Sequence, residues 1–322
     1  MQGVLILDFR WRIFRFLIVK QRLHLQLVVF LAVVISACSG SQPVKSTADY
    51  RTVEDDLGRS VQVPVRIDRA ISLAPSLTEM IFAVGADDRL VGVTTYCNYP
   101  EEAKAIQKIG DTQTPNIEGI IALKPQIVFV STASQLEAFT ETLEEQGISV
   151  FVSDQKTVDE VFDDLVTLGD LFGRPDEAVR LATRLQSRAK FYWHERKRET
   201  EPQEPPSVFV QFSNEPLFTV GKGSYVTQVV EYAGGESVTR DLPTAYPMLS
   251  KETALALNPE VIILSDSDDN REPNAVFKNS PAVKNGRVYR IDADIISRPG
   301  PRLVDAIEQI AGFLAEQNRP PE

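Results

Sequence analysis

Histidine and cysteine are almost missing from this chain. Among 322 residues there are two of each, His24 and His194, Cys38 and Cys97. Two cysteines give no disulfide framework, and with so few partners no zinc-type cluster can form. Histidine-based metal ligation or a Ser-His-Asp triad would have to draw on His194. No metal ligands and no catalytic residues are therefore expected. Basic residues are also scarce relative to acidic ones, 34 against 45, and the net charge of −11 excludes non-specific nucleic-acid binding. A phosphate loop is lacking too: Gly221-Lys222-Gly223-Ser224 has neither the upstream glycine nor the spacing that lets backbone amides surround a phosphate. No apolar run is comfortable as a membrane span; the run Leu23–Ile35 is too short.

That short run has another use. Lys20 and Arg22 precede it, and Ser36-Ala37-Cys38 follows. A basic flank, an apolar stretch and small residues mark a targeting segment over residues 1–37. Ile35-Ser36-Ala37-Cys38 resembles a bacterial lipobox, which makes Cys38 the site of lipid attachment and the protein an exported, membrane-anchored one. Residues 38–49 are small, polar and periodless, as suits a flexible tether. The rest is globular in composition, 43% hydrophobic and 25% charged, and long enough for two domains.

The stretch Pro175–Arg198 organises that remainder. Ala178, Leu181, Ala182, Leu185, Ala189 and Tyr192 form one apolar stripe at three- and four-residue steps. Pro175, Asp176 and Glu177 suit the start of a helix, and Arg196, Lys197 and Arg198 its end. Such a rod would span roughly 36 Å. It fits either a long surface helix or a strut between two lobes. Before it, residues 50–155 read as a hairpin over Tyr50–Pro64, then alternating strands and helices: Arg69–Leu73, a helix opened by Ser76 with Glu79 as capping-box partner, Leu90–Tyr96, Asn116–Leu123, Gln126–Ser131, Gln135–Gln146 and Ser149–Ser153. Residues 156–199 read as helical, with the rod at 175–198. After it, residues 207–322 continue with strand Ser207–Phe212, helix Ser224–Ala233, helix Ser250–Leu257, strands Val261–Ser265 and Arg287–Ile291, and helix Leu303–Ala315. Alternation of this kind predicts parallel sheets covered by helices, an α/β fold with ligands at the carboxyl ends of strands. Tyr96 and Tyr99 follow a strand; they could stack on a flat ligand or cap the sheet. Cys97 reads as a small buried hydrophobe.

The two halves echo each other. Asn116-Ile-Glu118 leads through a short helix to Lys124-Pro125 and an apolar strand; Ser250-Lys-Glu252 leads likewise to Asn258-Pro259 and another. Glu118 and Glu252 thus hold equivalent places. Each is explained as a first-turn dipole residue, or the pair as two fixed acidic knobs for arginines of a docking partner.

Arg69-AISLAPSLTEMIFAV-Gly85, Leu90-VGVTTYCNY-Pro100, Ile117-EGIIALK-Pro125, Phe209-VQ-Phe212 and Arg298-PGP-Arg302 together resemble the cobalamin-binding proteins of ABC importers. These belong to the helical-backbone (class III) periplasmic binding proteins for corrinoids, siderophores and haem. The resemblance covers Tyr50 to the end. It implies two Rossmann-like lobes joined by one long helix, a ligand cleft between them, and a monomer that delivers cobalamin or a related corrinoid to a permease and its ATPase. It implies ligand contacts at Tyr96, Phe212, Tyr246 and the stretch Asp294-Ile295-Ile296-Ser297-Arg298, with permease docking through Glu118 and Glu252. Tyr246 stands where a tryptophan is expected, Thr112 replaces another cleft tryptophan, and Ile295 and Ile296 replace aromatics. A ferric-siderophore or haem binder of the same fold is the nearest alternative, with Arg298 for an anion or Tyr96 or Tyr246 as an iron ligand. An exported hydrolase using Ser76 or Ser224 is a weaker one.

Overall fold

A computed structural model describes residues 49–132, 139–198 and 204–315, with side chains omitted for 195–198. The expected signal segment, the tether and Cys38 lie outside these residues. Among the described residues no helix is long and apolar enough to cross a membrane.

A hairpin comes first, β1 (Tyr50–Glu54) against β2 (Ser60–Pro64), paired from Tyr50↔Pro64 to Glu54↔Ser60. Buried Asp55 closes its turn by accepting from the amides of Leu57 and Arg59. It also accepts from Val152 N, and Arg59 donates to Val150 O, so the turn is fastened to the edge of the first sheet.

Two four-stranded parallel sheets follow. The first contains β3 (Ala70–Ser72), β4 (Leu90–Val93), β5 (Ile127–Ser131) and β6 (Ser149–Ser153), in the order β4-β3-β5-β6. The second contains β7 (Ser207–Gln211), β8 (Glu236–Ser237), β9 (Val261–Asp266) and β10 (Val288–Asp292), in the order β10-β9-β7-β8. Each therefore reads second-first-third-fourth from one edge, an open doubly wound order whose switch point lies beside its first strand. Their inner strands are mostly apolar and buried because helices cover both faces. Side chains alternate between two cores: Ile127 and Phe129 join the large inner core, Val128 and Val130 a smaller outer one. In the second sheet Val261 and Ile263 point inward, Ile262 and Leu264 outward.

Helices α1 (Pro75–Ala83), α2 (Ile117–Ala122), α3 (Thr140–Glu145) and α4 (Val158–Leu171) serve the first sheet. Then α5 (Pro175–Arg198) runs unbroken for 24 residues, as its periodicity predicts. Ala178, Ala182, Leu185 and Ala189 are buried, while Leu181 and Tyr192 pack at the margin. On one side Gln186 and Lys190 engage Asp159 of α4. On the other, Arg188 grips Asp305 and Glu308 of α10 (Leu303–Ala315). The helix is thus the strut rather than a surface ornament. Between it and the end lie α6 (Tyr225–Tyr232), α7 (Lys251–Leu257), α8 (Pro281–Lys284) and α9 (Ala293–Ile296).

The internal echo is structural. Asn116 caps α2 and Ser250 caps α7 through side-chain oxygens 2.9 and 3.1 Å from Gly119 N and Thr253 N. Each segment then passes through a residue in the left-handed region directly before proline, Lys124 (φ 49°) and Asn258 (φ 43°). The next residue latches the first strand of its own sheet: Gln126 accepts from Arg69 N, and Glu260 from Ser207 N.

One expectation needs correction. Ser76 does not cap α1: the helix starts two residues earlier than such a cap requires, at Pro75, Ala74 is the capping residue, and it makes no side-chain bond. Glu79 is therefore free of a capping role and is engaged elsewhere. Helix α3 covers Thr140–Glu145 after Phe139, and residues 135–138 of the expected Gln135–Gln146 helix lie outside the described residues.

Candidate ligand cleft

The carboxyl ends of the strands meet in a cleft of about 700 Å³ between the lobes. The first lobe contributes Pro75 and Ser76 after β3, Tyr96 after β4, Thr132 after β5 and Asp154 to Lys156 after β6. The second contributes Tyr225, Tyr246 and the segment around α9. Tyr96 is 59% exposed and Tyr246 49%, so each lobe offers one open aromatic ring. Thr112, where a tryptophan is expected from the resemblance, also lines the cleft and leaves room there.

The segment 294–298 divides by helical geometry. Ala293–Ile296 is a turn of helix, so side chains three and four apart share a side while their neighbours rotate away. Asp294, Ser297 and Arg298 line the cleft; Ile295 does not, and Ile296 is 1% exposed in the core. The expectation that the whole stretch faces ligand is thus corrected for the two isoleucines, which anchor the turn. Phe212 is not at the surface of the cleft either. It stands edge-on behind Tyr246, with ring centroids 5.9 Å apart. Tyr246 rides on a lip held by backbone bonds, Gly221 N to Ala245 O and Thr219 N to Pro247 O. A Cβ at Gly221 would come within 2.5 Å of Thr244 O, so only glycine lets this lip lie so close. Desolvation raises the Tyr246 phenol above its usual pKa, against a hydrogen bond with Ser224.

Charge in the cleft is spent within the protein. Arg298 Nη1 donates to Glu79 Oε1 (3.0 Å) and Asn98 Oδ1 (2.8 Å); Nη2 donates to Tyr96 O (3.3 Å) and pairs with Asp294 (2.5 Å). Asn98 in turn donates to Asp294 (2.8 Å). Lys156 pairs with Asp154 at 2.9 Å, and Thr132 donates to Asp154 at 2.6 Å. Below the floor, Ser153 and Gln155 donate to Asp164, whose carboxyl is pushed up to about 7 by burial and by the charge of Asp56. Among the described residues no group of three His, Cys, Asp or Glu side chains is placed to hold a metal.

Glu118 and Glu252 are exposed in the first turns of α2 and α7. The Glu252 carboxyl is held below its ordinary range by its own amide and the Ser250 hydroxyl. Cys97 is buried, its sulfur 3.1 Å from the Thr78 hydroxyl. Tyr99 lies outside the cleft under the Arg302 guanidinium, 4.1 Å from its ring centre. His194 stands beside Trp193 on α5 and does not line the cleft. Sequence reasoning missed Glu79 and Asn98; the Asn98 signal lay only in its place between two tyrosines.

The periplasmic binding protein family matches residues 71–295. The vitamin B12-binding protein of Vibrio cholerae is 30% identical over 253 residues, 78% of this chain and 90% of its own. The crystal structure of the Vibrio cholerae vitamin B12 binding protein BtuF superposes with a TM-score of 0.67 at 29% identity, over 80% of this chain and all of that one. An uncharacterised ABC transporter substrate-binding lipoprotein of Bacillus subtilis is 30% identical over 81% of this chain and 84% of its own. A haem-binding protein of Pseudomonas aeruginosa shares the fold, with a TM-score of 0.70 at 22% identity over 80% and 95% of the two chains.

Proposed function

The chain belongs to the periplasmic binding protein family, and from that premise we propose that it captures cobalamin or a related corrinoid for an ABC importer. Lipid on Cys38 would hold it at the outer side of the cytoplasmic membrane. The permease's ATPase, not this chain, would supply the energy. The observation that carries the ligand class is the absence of spare charge among the described residues of the cleft. Arg298 makes three hydrogen bonds and an ion pair within the protein, and Lys156 is matched by Asp154. An anionic siderophore would have to break these pairs, whereas a neutral macrocycle rimmed by amides needs only hydrogen bonds and apolar contact. Tyr96 and Tyr246 supply aromatic surface, at about 25 cal/mol per Å² buried before ordering costs.

Haem is the second reading, because Tyr96 is open to an iron. Against it, the arginine that lines the described cleft is already engaged by Glu79, Asn98, Tyr96 and Asp294 and is not spare for the propionates. Titration of the protein with cyanocobalamin, haemin and a catecholate siderophore separates the readings. We expect cyanocobalamin to bind below about 10 μM, tighter than roughly −7 kcal/mol. Failure of every corrinoid at that level, with saturable haemin spectra, would replace this reading with the second.

A further inference from the structure

We propose that Glu79 sets the charge the cleft presents and thereby its ligand class; the proposal rests on the cleft being the ligand site. Glu79 is 3% exposed on α1 of the first lobe, yet its partners come from the second. It accepts from Arg298 Nη1 (3.0 Å), Arg302 Nε (2.8 Å) and Arg302 Nη2 (2.7 Å). With Asp294 the group comprises two cations and two anions. Only Arg298 and Asp294 of the four line the cleft. Glu79 is therefore a positioning residue: it acts through Arg298, whose other amine also holds the Tyr96 carbonyl.

Neutralising Glu79 leaves two guanidinium groups against one carboxylate in a poorly solvated place. Arg298 then has an N–H without an anionic partner at the cleft wall. A buried, uncompensated guanidinium recruits whatever carboxylate or phosphate can reach it. The cleft would change from one suited to a neutral ligand into one suited to an anionic ligand of the same size.

Four full-length proteins test this: wild type, Glu79→Gln, Arg302→Met and the double variant. Each is titrated with cyanocobalamin, which is neutral overall, and haemin, which carries two carboxylates, at low and high salt. The reading is the ratio of haemin to cyanocobalamin affinity. Glu79→Gln should raise it by about tenfold or more, and salt should shrink the gain. Arg302→Met should lower it, and the double variant, with charge again balanced, should return towards wild type. A purely structural role for Glu79 would lower both affinities and would not be rescued by a second charge loss. An unchanged ratio in folded Glu79→Gln overturns the proposal. If that variant does not fold, an unchanged ratio in Arg302→Met does so. A wild type that prefers haemin defeats the corrinoid reading while leaving the ratios between variants to judge Glu79. No binding of either probe by any of the four defeats both.

Discussion

At the scale of single residues, burial decides which groups can change with pH. Asp164 is 6% exposed, with Ser153 and Gln155 donating to it, and its folded pKa lies near 7 against 3.8 for an unhindered carboxyl. The folded state therefore holds a proton that the unfolded chain releases. Below about pH 4 both states are protonated and nothing is lost. Between pH 4 and 7 stability should fall as pH rises, by at most about 4 kcal/mol, and then level off. Asp164→Asn should flatten that slope and raise the melting temperature above pH 7; chemical denaturation at pH 5 and pH 8 checks it. An equal pH slope in both proteins would show that Asp164 is ionised throughout. Residue identity was a poor guide to such roles. Ser76 and Glu79 stand at capping-box spacing, but Pro75 starts the helix early, and Glu79 answers arginines 219 and 223 positions away. A local rule lost to a distant pair of charges that no spacing reveals.

Among the elements, α4 packs closely against α5. The buried side of the strut is mostly alanine, and Gly169 of α4 faces it so closely that an added Cβ would lie 2.1 Å from Ala178 Cβ and 3.0 Å from Arg174 O. Gly169→Ala should therefore force the two helices apart and cost about 1–3 kcal/mol, although alanine is the better helix former. Urea unfolding measures it, and a stabilised variant would show that the helices tolerate wider spacing. Elements of this kind were largely legible. The strut's ends, its stripe and the hairpin follow from periodicity and turn residues, which act within a few positions. Helix α4 was read only as part of a helical stretch, although Thr157 and Glu160 form a full capping box at its start. The cleft was less legible. Tyr96 follows a strand that can be read directly, but Tyr246 and the turn at 294–298 were reached through family likeness. That likeness does not give the rotation that sends Ile296 into the core.

For the molecule as a whole, the surfaces proposed for ligand capture and for delivery are separate. The cleft lies between the strand ends, and Glu118 and Glu252 stand on exposed helix starts that do not line it. Leu255, three residues beyond Glu252, is 62% exposed and would adjoin any contact made there. Replacing both glutamates with alanine should leave the dissociation constant for cyanocobalamin within about twofold, since neither touches the cleft. Corrinoid uptake through the importer should fall with each change and further with both, as charged contacts to a partner are removed. Uptake of radiolabelled cyanocobalamin by cells carrying the variants measures this, and undiminished uptake by the double variant would remove the glutamates from docking.

One sheet order occurs twice, and in each copy the third strand is preceded by the same capped helix, the same left-handed step and the same proline. The single chain thus presents the same capped helix start twice. A receptor that takes hold of both helices in one manner must itself carry the matching grip twice, as a pair of like subunits does.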